Sequence, residues 1–484
     1  MPYARRVLTY IFIYAKIFSE IRLVGEVRHM ANQLENVIKE FDKFSYYTEG
    51  KIARGIEEYR KGQFAVVFKD KNGALLRDVH VRVKQVSHEF NFGCNLFCVD
   101  HFAQSDMNAL YGEKFAHIFN YGVVPLYWNA LEPEQGKPRF NADSERVYRR
   151  PPVDACVDFC REKGVRMKGH CLVYNSFQPD WISEDSRELK VQIDDRLRAI
   201  SERYRNTFCD ADVINEMYRI YKNCYKGMGC RNMQITDEKN HEKWAFDLCK
   251  RYFPNTRLFW NEGMFEVLGE TNYSGFRSYY YLAIKEALLR GVPVEGIGIQ
   301  YHANVDKEYE WAGNPWHPIR HVTNPLRLLD ALECYGTLGL PIHISEISIP
   351  SYGYDLYDEE LQAELTKRLM RLWFSAEKVD AIVWWNLADK TAIGDENQYY
   401  SGLLREDLSE KPAYKVMDEL INREWNTSFD AVTDGRLNFA GFYGDYEIEA
   451  ECGGKTVSKK VRLYRDNTGF DNRKCDFRVK EIII

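Results

Sequence analysis

The sequence lacks most of the short motifs that would assign a function at once. No GxGxxG or GxxxxGKS/T pattern occurs, which excludes the usual phosphate-binding loops of nucleotide-dependent proteins. The 12 cysteines include no CxxC pair matched by a second pair at zinc spacing, and neither HxH nor HExxH is present. We therefore predict no metal and no cofactor, and a metal-assisted hydrolase is a third hypothesis without a ligand pattern.

A strong charge of one sign and long apolar runs are also missing. The 484 residues carry 66 Lys and Arg against 72 Asp and Glu, and no domain-sized stretch is strongly basic, so we predict no nucleic-acid partner. No segment reaches the roughly 18 apolar residues that cross a membrane, so we predict no membrane partner. The sequence does not predict an oligomeric state.

The indications of cellular location conflict. Scattered cysteines in a chain too large to need disulfide bonds favour a reducing compartment, the cytoplasm. Residues 7–18 form an apolar run behind a basic start, as in a signal peptide, but Lys16 interrupts the run and no small-residue cleavage site follows. We predict a cytoplasmic protein, with secretion as the alternative.

The central part of the chain, residues 89–425, alternates short apolar strands with longer segments of helical period. This is the pattern of parallel βαβ units. Eight such repeats predict an α/β fold, a closed (β/α)8 TIM barrel. The predicted strands span residues 90–95, 121–128, 165–174, 211–216, 257–262, 295–302, 341–347 and 380–387.

The flanking regions have a different texture. Residues 1–60 predict a helical extension, and residues 61–88 predict a β-hairpin because Asn72-Gly73 lies between two β-rich runs. Residues 426–484 predict a C-terminal β-module. Neither β-region shows a dense row of tryptophans that could bind sugar, so we expect the two to pack together in a structural role.

Polar residues end several of the predicted barrel strands. The carboxyl ends of the strands form the functional face of a TIM barrel. One polar residue there is usually a helix cap or a salt-bridge partner, but many converging on one rim predict a site. The set comprises His170, Asn215, Glu216, Asn261, Glu262, Gln300, His302 and Glu346, with Trp384 and Trp385 nearby.

Two carboxylates facing each other across a barrel mouth suit the cleavage of glycosidic bonds. One carboxyl group must donate a proton to the leaving oxygen, and the other must stay ionised near the anomeric carbon. The aromatic content (10 Trp, 32 Tyr, 27 Phe) is in keeping with a protein that presents flat rings to sugars. The strand ends therefore favour a glycosidase.

Several motifs in register resemble one family. ADVINE (211–216), GIGIQYH (296–302), IHISEISIP (342–350) and GHCLVYNSFQPDW (169–181) are similar to glycoside hydrolase family 10, the retaining endo-β-1,4-xylanases. ALEPEQG (130–136) and EKPAYKVMDEL (410–420) fit the same family. The resemblance covers about residues 88–425 and implies a β-linked polysaccharide or oligosaccharide as the substrate.

The resemblance also implies roles for individual residues. Glu216 matches the acid/base and Glu346 the nucleophile of a double displacement, for which we expect carboxyl groups about 5–5.5 Å apart rather than about 6.5–9.5 Å. Glu262 is expected to be a hydrogen-bonding neighbour. The predicted substrate-binding residues are His170, Asn215, Gln300, His302, Trp385, Tyr174 and Tyr127; Asn215 would bind the sugar 2-hydroxyl, His302 would orient the nucleophile, and Trp385 would form the floor.

The departures from the family concentrate on the glycone side. Where the family usually reads Glu-Asn-x-Met-Lys-Trp, residues 123–128 read VVPLYW, and where it reads Leu-Val-Trp-His-Ser-Gln, residues 172–177 read LVYNSF. The second tryptophan usual after the eighth strand is also missing from residues 389–393. Since a lost hydrogen bond to a sugar hydroxyl changes discrimination strongly, we expect altered specificity more than altered chemistry.

These observations leave several hypotheses about the function open. The first is a retaining glycosidase of the xylanase type, acting on xylan or xylo-oligosaccharides. A variant keeps the same fold and mechanism but takes another β-linked glycan or glycoside on the glycone side. The other class is a non-catalytic carbohydrate-binding barrel, which would be favoured by loss of a catalytic carboxylate; Glu216 and Glu346 are both present.

Overall fold

A parallel β-barrel forms the centre of the protein. The structure is a computed structural model that describes residues 33–217, 240–268, 273–303, 307, 324–465 and 478–484. The apolar run predicted at residues 7–18 lies outside the described residues. The barrel strands are β3 (Asn91–Asn95), β4 (Tyr121–Pro125), β5 (Arg166–His170), β6 (Val173–Tyr174), β7 (Asp210–Asn215), β8 (Arg257–Glu262), β9 (Gly296–His302), β10 (Ile342–Ser348) and β11 (Val379–Trp384).

These strands form one closed sheet. Their order is β5-β4-β3-β11-β10-β9-β8-β7-β6, and an additional pairing between β5 and β7 closes the ring. All of the pairings are parallel. The predicted third strand is present as two pieces, β5 and β6, so nine segments make up eight barrel positions. The prediction of a (β/α)8 barrel is confirmed.

Helices surround the barrel. Their sequences carry the expected end signals: Pro325 opens one helix, and the Asn324 side chain accepts a hydrogen bond from the Leu326 amide (3.0 Å), a typical N-cap. The described helices are α1 (Gln33–Arg60), α2 (Ser105–Ile118), α3 (Trp128–Leu131), α4 (Val153–Lys163), α5 (Ser186–Tyr204), α6 (His241–Tyr252), α7 (Met264–Leu268), α8 (Tyr279–Leu289), α9 (Pro325–Gly336), α10 (Leu356–Ser375) and α11 (Pro412–Asp418), with 3-10 turns at Gly275–Arg277 and Gly394–Tyr399 and a π-turn at Glu419–Glu424.

The described part of the N-terminal extension, α1, packs on the barrel. Its apolar stripe, which includes Leu34, Phe41 and Ile56, is buried in the same core as the barrel helices. At Gly55 the helix comes so close to α10 that a Cβ atom would lie 2.3 Å from the Ser375 carbonyl oxygen. The Arg60 guanidinium donates to backbone carbonyl groups at the end of α10, including Phe374 (2.5 Å). None of the described helices is both long and apolar enough to cross a membrane.

The remaining strands form two sheets beside the barrel. The strands are β1 (Lys61–Lys69), β2 (Val79–His88), β12 (Ser428–Thr433), β13 (Arg436–Phe442), β14 (Gly444–Cys452), β15 (Lys455–Leu463) and β16 (Arg478–Ile483). One sheet has the order β13-β1-β16 and the other β12-β2-β14-β15. A second core that includes Phe64, Val81, Tyr446 and Ile448 lies between them.

The predicted hairpin at residues 61–88 is wrong. A turn does form at Gly73 (φ 85°), but β1 pairs with β13 and β16, whereas β2 pairs with β12 and β14. In a hairpin the apolar rows of both strands would share one face of one sheet. Because β1 and β2 lie in different sheets, their apolar side chains, such as Phe64 and Val81, meet in the core between the two sheets. The strands that hydrogen-bond to β1 and β2 come from the C-terminal region.

Candidate active site

The predicted site residues meet at the carboxyl ends of the barrel strands. His170 ends β5, Tyr174 ends β6 and Asn215 ends β7, while Glu216 follows directly. Glu346 lies near the end of β10. Gln300 and His302 are in the last part of β9, Trp385 follows β11, and Tyr127 follows β4. All nine predicted residues therefore lie at one end of the barrel.

Glu216 occupies a strained backbone position at the rim. Its φ angle is 49°, in the left-handed region, and its amide donates to the Asn261 carbonyl oxygen at 2.9 Å. One carboxylate oxygen accepts from the Tyr174 hydroxyl (2.8 Å) and the other from Gln300 Nε2 (2.8 Å). The side chain is partly exposed, so two protein donors hold it while it can still meet a ligand.

Glu346 is more deeply set than Glu216 and has more partners. It is 4% exposed. Oε1 accepts from Asn261 Nδ2 (2.8 Å) and Gln300 Nε2 (3.1 Å), and His302 Nε2 lies 3.2 Å from Oε2. Protein groups therefore contact both carboxylate oxygens of Glu346.

Gln300 joins the two carboxylates. Its Nε2 lies 2.8 Å from Glu216 Oε1 and 3.1 Å from Glu346 Oε1. Because both oxygens contact the same nitrogen, they can be at most 5.9 Å apart. This limit applies to one oxygen of each carboxyl group, and it admits the separation of about 5–5.5 Å that retaining sites show.

Asn261 stands at the centre of the network, although the sequence reading gave it no role in binding. Its Nδ2 donates to Asn215 Oδ1 (2.7 Å) as well as to Glu346, and its Oδ1 accepts from the Ser345 hydroxyl (2.6 Å). Gly298 on the neighbouring strand makes room for it, because a Cβ there would lie 2.1 Å from Asn261 Oδ1. Asn261 therefore fixes both Asn215 and Glu346.

Two histidines lie beside Glu346. His302 bonds Ser348 Oγ through Nδ1 (2.9 Å), which leaves Nε2 for Glu346. Burial alone would lower the pKa of His302, but the bond to Glu346 and its charge outweigh burial, and the pKa is raised. His170 Nε2 is 4.0 Å from Glu346 Oε1.

A buried ion pair that the sequence reading missed holds His170. Asp212 Oδ2 lies 2.8 Å from His170 Nδ1, and Asp212 Oδ1 lies 2.7 Å from Lys168 Nζ. Burial would raise the pKa of Asp212, but the Lys168 ammonium and the bond to His170 lower it below its usual range. The sequence signal for this ion pair was the presence of charged residues at alternate positions of the apolar strands β5 and β7, because residues at such positions point into the barrel.

Glu262 hydrogen-bonds the backbone next to Glu216, the acid/base candidate. It is fully buried, and its Oε1 accepts from the Met217 amide (2.8 Å) and from Trp260 Nε1 (3.2 Å). Burial raises the pKa of Glu262 well above the usual value. Because it binds the amide that follows Glu216, it stabilises the turn in which Glu216 lies.

Aromatic rings form the opposite side of the mouth. The Trp385 ring lies 5.4 Å from His170 and 5.2 Å from Phe97, measured between ring centroids. The Tyr127 ring lies 5.4 Å from His170 and 4.8 Å from Phe177. Tyr127 and Trp385 thus border the histidine and do not bond to either carboxylate. Within the described ranges, no three His, Cys, Asp or Glu side chains are grouped so that they could hold a metal ion.

Comparisons with known proteins agree with this architecture. The family model described as "Glycosyl hydrolase family 10" matches residues 99–420. Endo-1,4-beta-xylanase A of Caldicellulosiruptor saccharolyticus is 27% identical over 287 residues, which cover 55% of this chain and 78% of the relative. Endo-1,4-beta-xylanase 2 of Arabidopsis thaliana is 26% identical over 400 residues, covering 81% of this chain and 32% of the relative.

Another relative has a name of a different kind. Anti-sigma-I factor RsgI6 of Acetivibrio thermocellus is 25% identical over 409 residues, 83% of this chain and 46% of the relative. The chain therefore spans less than half the length of this relative and of the Arabidopsis protein. Among solved structures, xylanase 10B from Thermotoga petrophila RKU-1 in complex with xylobiose has a TM-score of 0.54 and 23% identity, covering 69% of this chain and 95% of that chain. This likeness shows a shared fold.

Proposed function

The chain belongs to glycosyl hydrolase family 10, and from this premise we propose that it is a retaining β-glycosidase that cleaves xylan or xylo-oligosaccharides. In this proposal Glu346 is the nucleophile and Glu216 the acid/base. The xylan assignment rests on the named xylanases among its relatives, which are about one-quarter identical to it.

One observation carries the proposal: Gln300 Nε2 bonds both carboxylates at 2.8 and 3.1 Å. The two groups are close enough for direct attack by one of them on the anomeric carbon while the other serves the leaving oxygen. Their surroundings also differ, since Glu346 is buried among donors and Glu216 is partly exposed. A retaining mechanism needs two carboxyl groups with unlike tasks.

The proposed reaction has two steps. Glu346 attacks the anomeric carbon, the glycosidic C–O bond breaks, and Glu216 gives its proton to the leaving oxygen. Glu216 then takes a proton from water, and the hydroxyl oxygen displaces Glu346 with a second inversion. The Asn215 amide would bind the 2-hydroxyl of the reacting sugar. His302 holds the attacking carboxylate, while His170, Trp385, Tyr174 and Tyr127 surround the sugar.

The test is hydrolysis of a panel of aryl β-glycosides and xylo-, gluco- and galacto-oligosaccharides. We expect activity on xylo-oligosaccharides, abolished by Glu216→Ala and by Glu346→Ala. Glu286→Ala is the matched control, because this carboxylate is exposed on the outer helix α8 and pairs only with Arg290 among the described residues. The anomer released first, followed by proton NMR, should be β; initial release of the α anomer would refute retention.

Two alternatives remain: a barrel that binds a carbohydrate without cleaving it, and a glycosidase that cleaves a different β-linked glycan. Both are favoured by the apolar side chains Val123 and Phe177, which occupy positions where the family usually carries polar groups that bind the substrate. Binding of a panel oligosaccharide without product would support the non-cleaving form. Cleavage of only a gluco- or galacto-oligosaccharide would support a changed specificity.

A further inference from the structure

Tyr174 lies beside the acid/base candidate at the rim of the barrel. It ends β6, and the parallel pairing of β6 with β7 places it next to Asn215, the residue before Glu216. Its hydroxyl donates to Glu216 Oε2 at 2.8 Å. Both side chains are partly exposed, so a ligand in the mouth can reach the place where they meet.

The protein fixes the position of the Tyr174 hydroxyl before a sugar binds. Gln178 Nε2 donates to the Tyr174 carbonyl oxygen at 3.2 Å. The ring centroids of Phe177 and Tyr127 lie 6.1 and 6.4 Å from that of Tyr174, a separation at which aromatic rings pack against each other. The backbone and two neighbouring rings therefore direct this side chain toward Glu216.

The two carboxyl oxygens of Glu216 have partners of different kinds. Oε1 accepts from Gln300 Nε2 at 2.8 Å, and the same nitrogen lies 3.1 Å from Glu346 Oε1. An amide nitrogen only donates, and its contact with two carboxyl oxygens fixes the orientation of the amide, because a flipped amide would turn its own oxygen toward them. Oε2 instead faces a hydroxyl group, which can donate or accept. Among the described residues that bond Glu216, only Tyr174 can therefore accept a proton from it.

The Tyr174 hydroxyl can follow a change in the charge of its partner. Removal from water and the charge of Glu216 raise the pKa of Tyr174 well above its usual value, so the hydroxyl keeps its own proton. A neutral hydroxyl can accept from a protonated carboxyl group and donate to an ionised one. The tryptophan that the family usually has at this position offers only a donor.

We propose that Tyr174 positions the proton that Glu216 delivers: Oε2 carries this proton, and the Tyr174 hydroxyl holds Oε2 in both of its charge states. The proposal rests on the proposed function, in that Glu216 is the acid/base. Tyr174 is then a positioning residue that acts through Glu216, in addition to being part of the wall around the sugar.

The proton passes through Oε2 in both steps of the reaction. In the first step the Oε2–H bond breaks as the proton moves to the glycosidic oxygen, whose bond to the anomeric carbon breaks, and Tyr174 donates to the anionic Oε2 that remains. In the second step Oε2 takes a proton from the water whose oxygen displaces Glu346. Tyr174 gains and loses no proton overall.

The test is Tyr174→Phe, which keeps the ring and removes one oxygen atom at a partly exposed site. The quantity measured is kcat/KM, which reports on the first step, for xylotriose and for aryl β-xylosides from phenyl to 2,4-dinitrophenyl. For xylotriose and phenyl xyloside, whose leaving groups need a proton, we expect a loss of about tenfold or more, the lower end of what a hydrogen bond to a charged group contributes. For 2,4-dinitrophenyl xyloside, whose leaving group departs without a proton, we expect a change of less than about twofold.

Tyr204→Phe is the matched control. The Tyr204 hydroxyl also donates to a carboxylate, Asp154 Oδ1 at 2.7 Å, but this bond joins the outer helices α5 and α4. The control should leave the dependence of kcat/KM on the leaving group unchanged. Thermal melting of both variants shows that each is folded.

A second measurement places Tyr174→Phe in a Glu216→Gln background. Residue 216 then carries no acidic proton, so loss of the hydroxyl should change kcat/KM by less than about twofold for every aryl xyloside. An equal loss for all leaving groups, no loss for xylotriose, or the full loss persisting in the Glu216→Gln background would each overturn the proposal. The hydroxyl would then serve the sugar or the fold and not the proton of Glu216.

The outcomes separate this proposal from the proposed function. If Glu216→Ala and Glu346→Ala abolish hydrolysis while Tyr174→Phe leaves the dependence on the leaving group unchanged, the role of Tyr174 is overturned and the glycosidase stands. If the unsubstituted protein hydrolyses no member of the panel, the glycosidase is overturned and the role of Tyr174 falls with it.

Discussion

The two sides of the barrel mouth hold their charged groups in different ways. On the side of β7 to β10, each carboxylate has directed donors, as Gln300 and Asn261 show for Glu346. On the side of β4 and β11, the charged groups are guanidinium ions held by ring faces, as Tyr127 holds Arg150. The carboxylates are thus held by directed hydrogen bonds, whereas the guanidinium group is held by contacts with ring faces.

The largest expected effect separates the carboxylates from each other. Glu346→Gln should lower kcat/KM by about 10⁴-fold or more because no nucleophile replaces it, and Glu216→Gln by about 10²–10⁴-fold because only proton transfer is lost. The Glu216 effect should be smaller for aryl glycosides whose leaving group is acidic. Measured rates on a series of aryl xylosides check this, and equal losses in both variants for every leaving group would contradict the assigned roles.

The next effect concerns the ion pair beneath the polar side. Asp212→Asn leaves Lys168 buried without its anion and should lower the free energy of unfolding by about 3–5 kcal/mol. Asp430→Asn is the control, since its pair with Arg82 is exposed on the accessory sheet and should contribute less than about 1 kcal/mol. Urea unfolding measures both. Similar losses in the two variants would show that burial does not set the strength of these pairs.

A smaller effect is expected on the aromatic side. Tyr127→Lys restores the residue type usual in the family, but it removes the ring beneath Arg150 and puts a second cation there. We expect a loss of about 2–4 kcal/mol in unfolding free energy and no gain in activity. Tyr127→Phe keeps the ring and should remain close to the wild type. A stable Tyr127→Lys protein would show that the Tyr127 ring is not needed to hold Arg150.

The smallest effect is a pH dependence on the polar side. The raised pKa of His302 means that its bond to Glu346 stabilises the fold fully below the unfolded-state pKa of about 6.5 and less as pH rises through the higher folded-state pKa. His302→Gln should therefore destabilise the protein more in mildly acidic than in alkaline solution. Thermal melting across pH measures this. If His302→Gln has the same pH-dependent effect on stability in a protein that also carries Glu346→Gln, the effect does not come from the bond between His302 and Glu346.

The sequence predicted the barrel because its signals are local. The apolar patterns of GIGIQYH and IHISEIS predict buried strands without any knowledge of tertiary contacts. Once the sheet closes into a barrel, the residues that end these strands must lie on one rim. It did not predict the roles of Asp212 and Asn261, because a charged or amide residue inside a strand is meaningful only through its cross-strand neighbours. The prediction of a hairpin was wrong for the same reason. Asn72-Gly73 indicates a turn, but it does not determine which strands pair with β1 and β2.

The sequence by itself determined the fold class, the family and the candidate carboxylates Glu216 and Glu346, since hydrophobic period and motif order survive without coordinates. The tertiary structure decided which groups hold those carboxylates and which rings surround the Arg150 guanidinium. Arg150 is far along the chain from Phe97 and Phe177, and only barrel closure brings their rings around it. Strand propensity is encoded locally, whereas a site depends on contacts between segments that are distant in sequence.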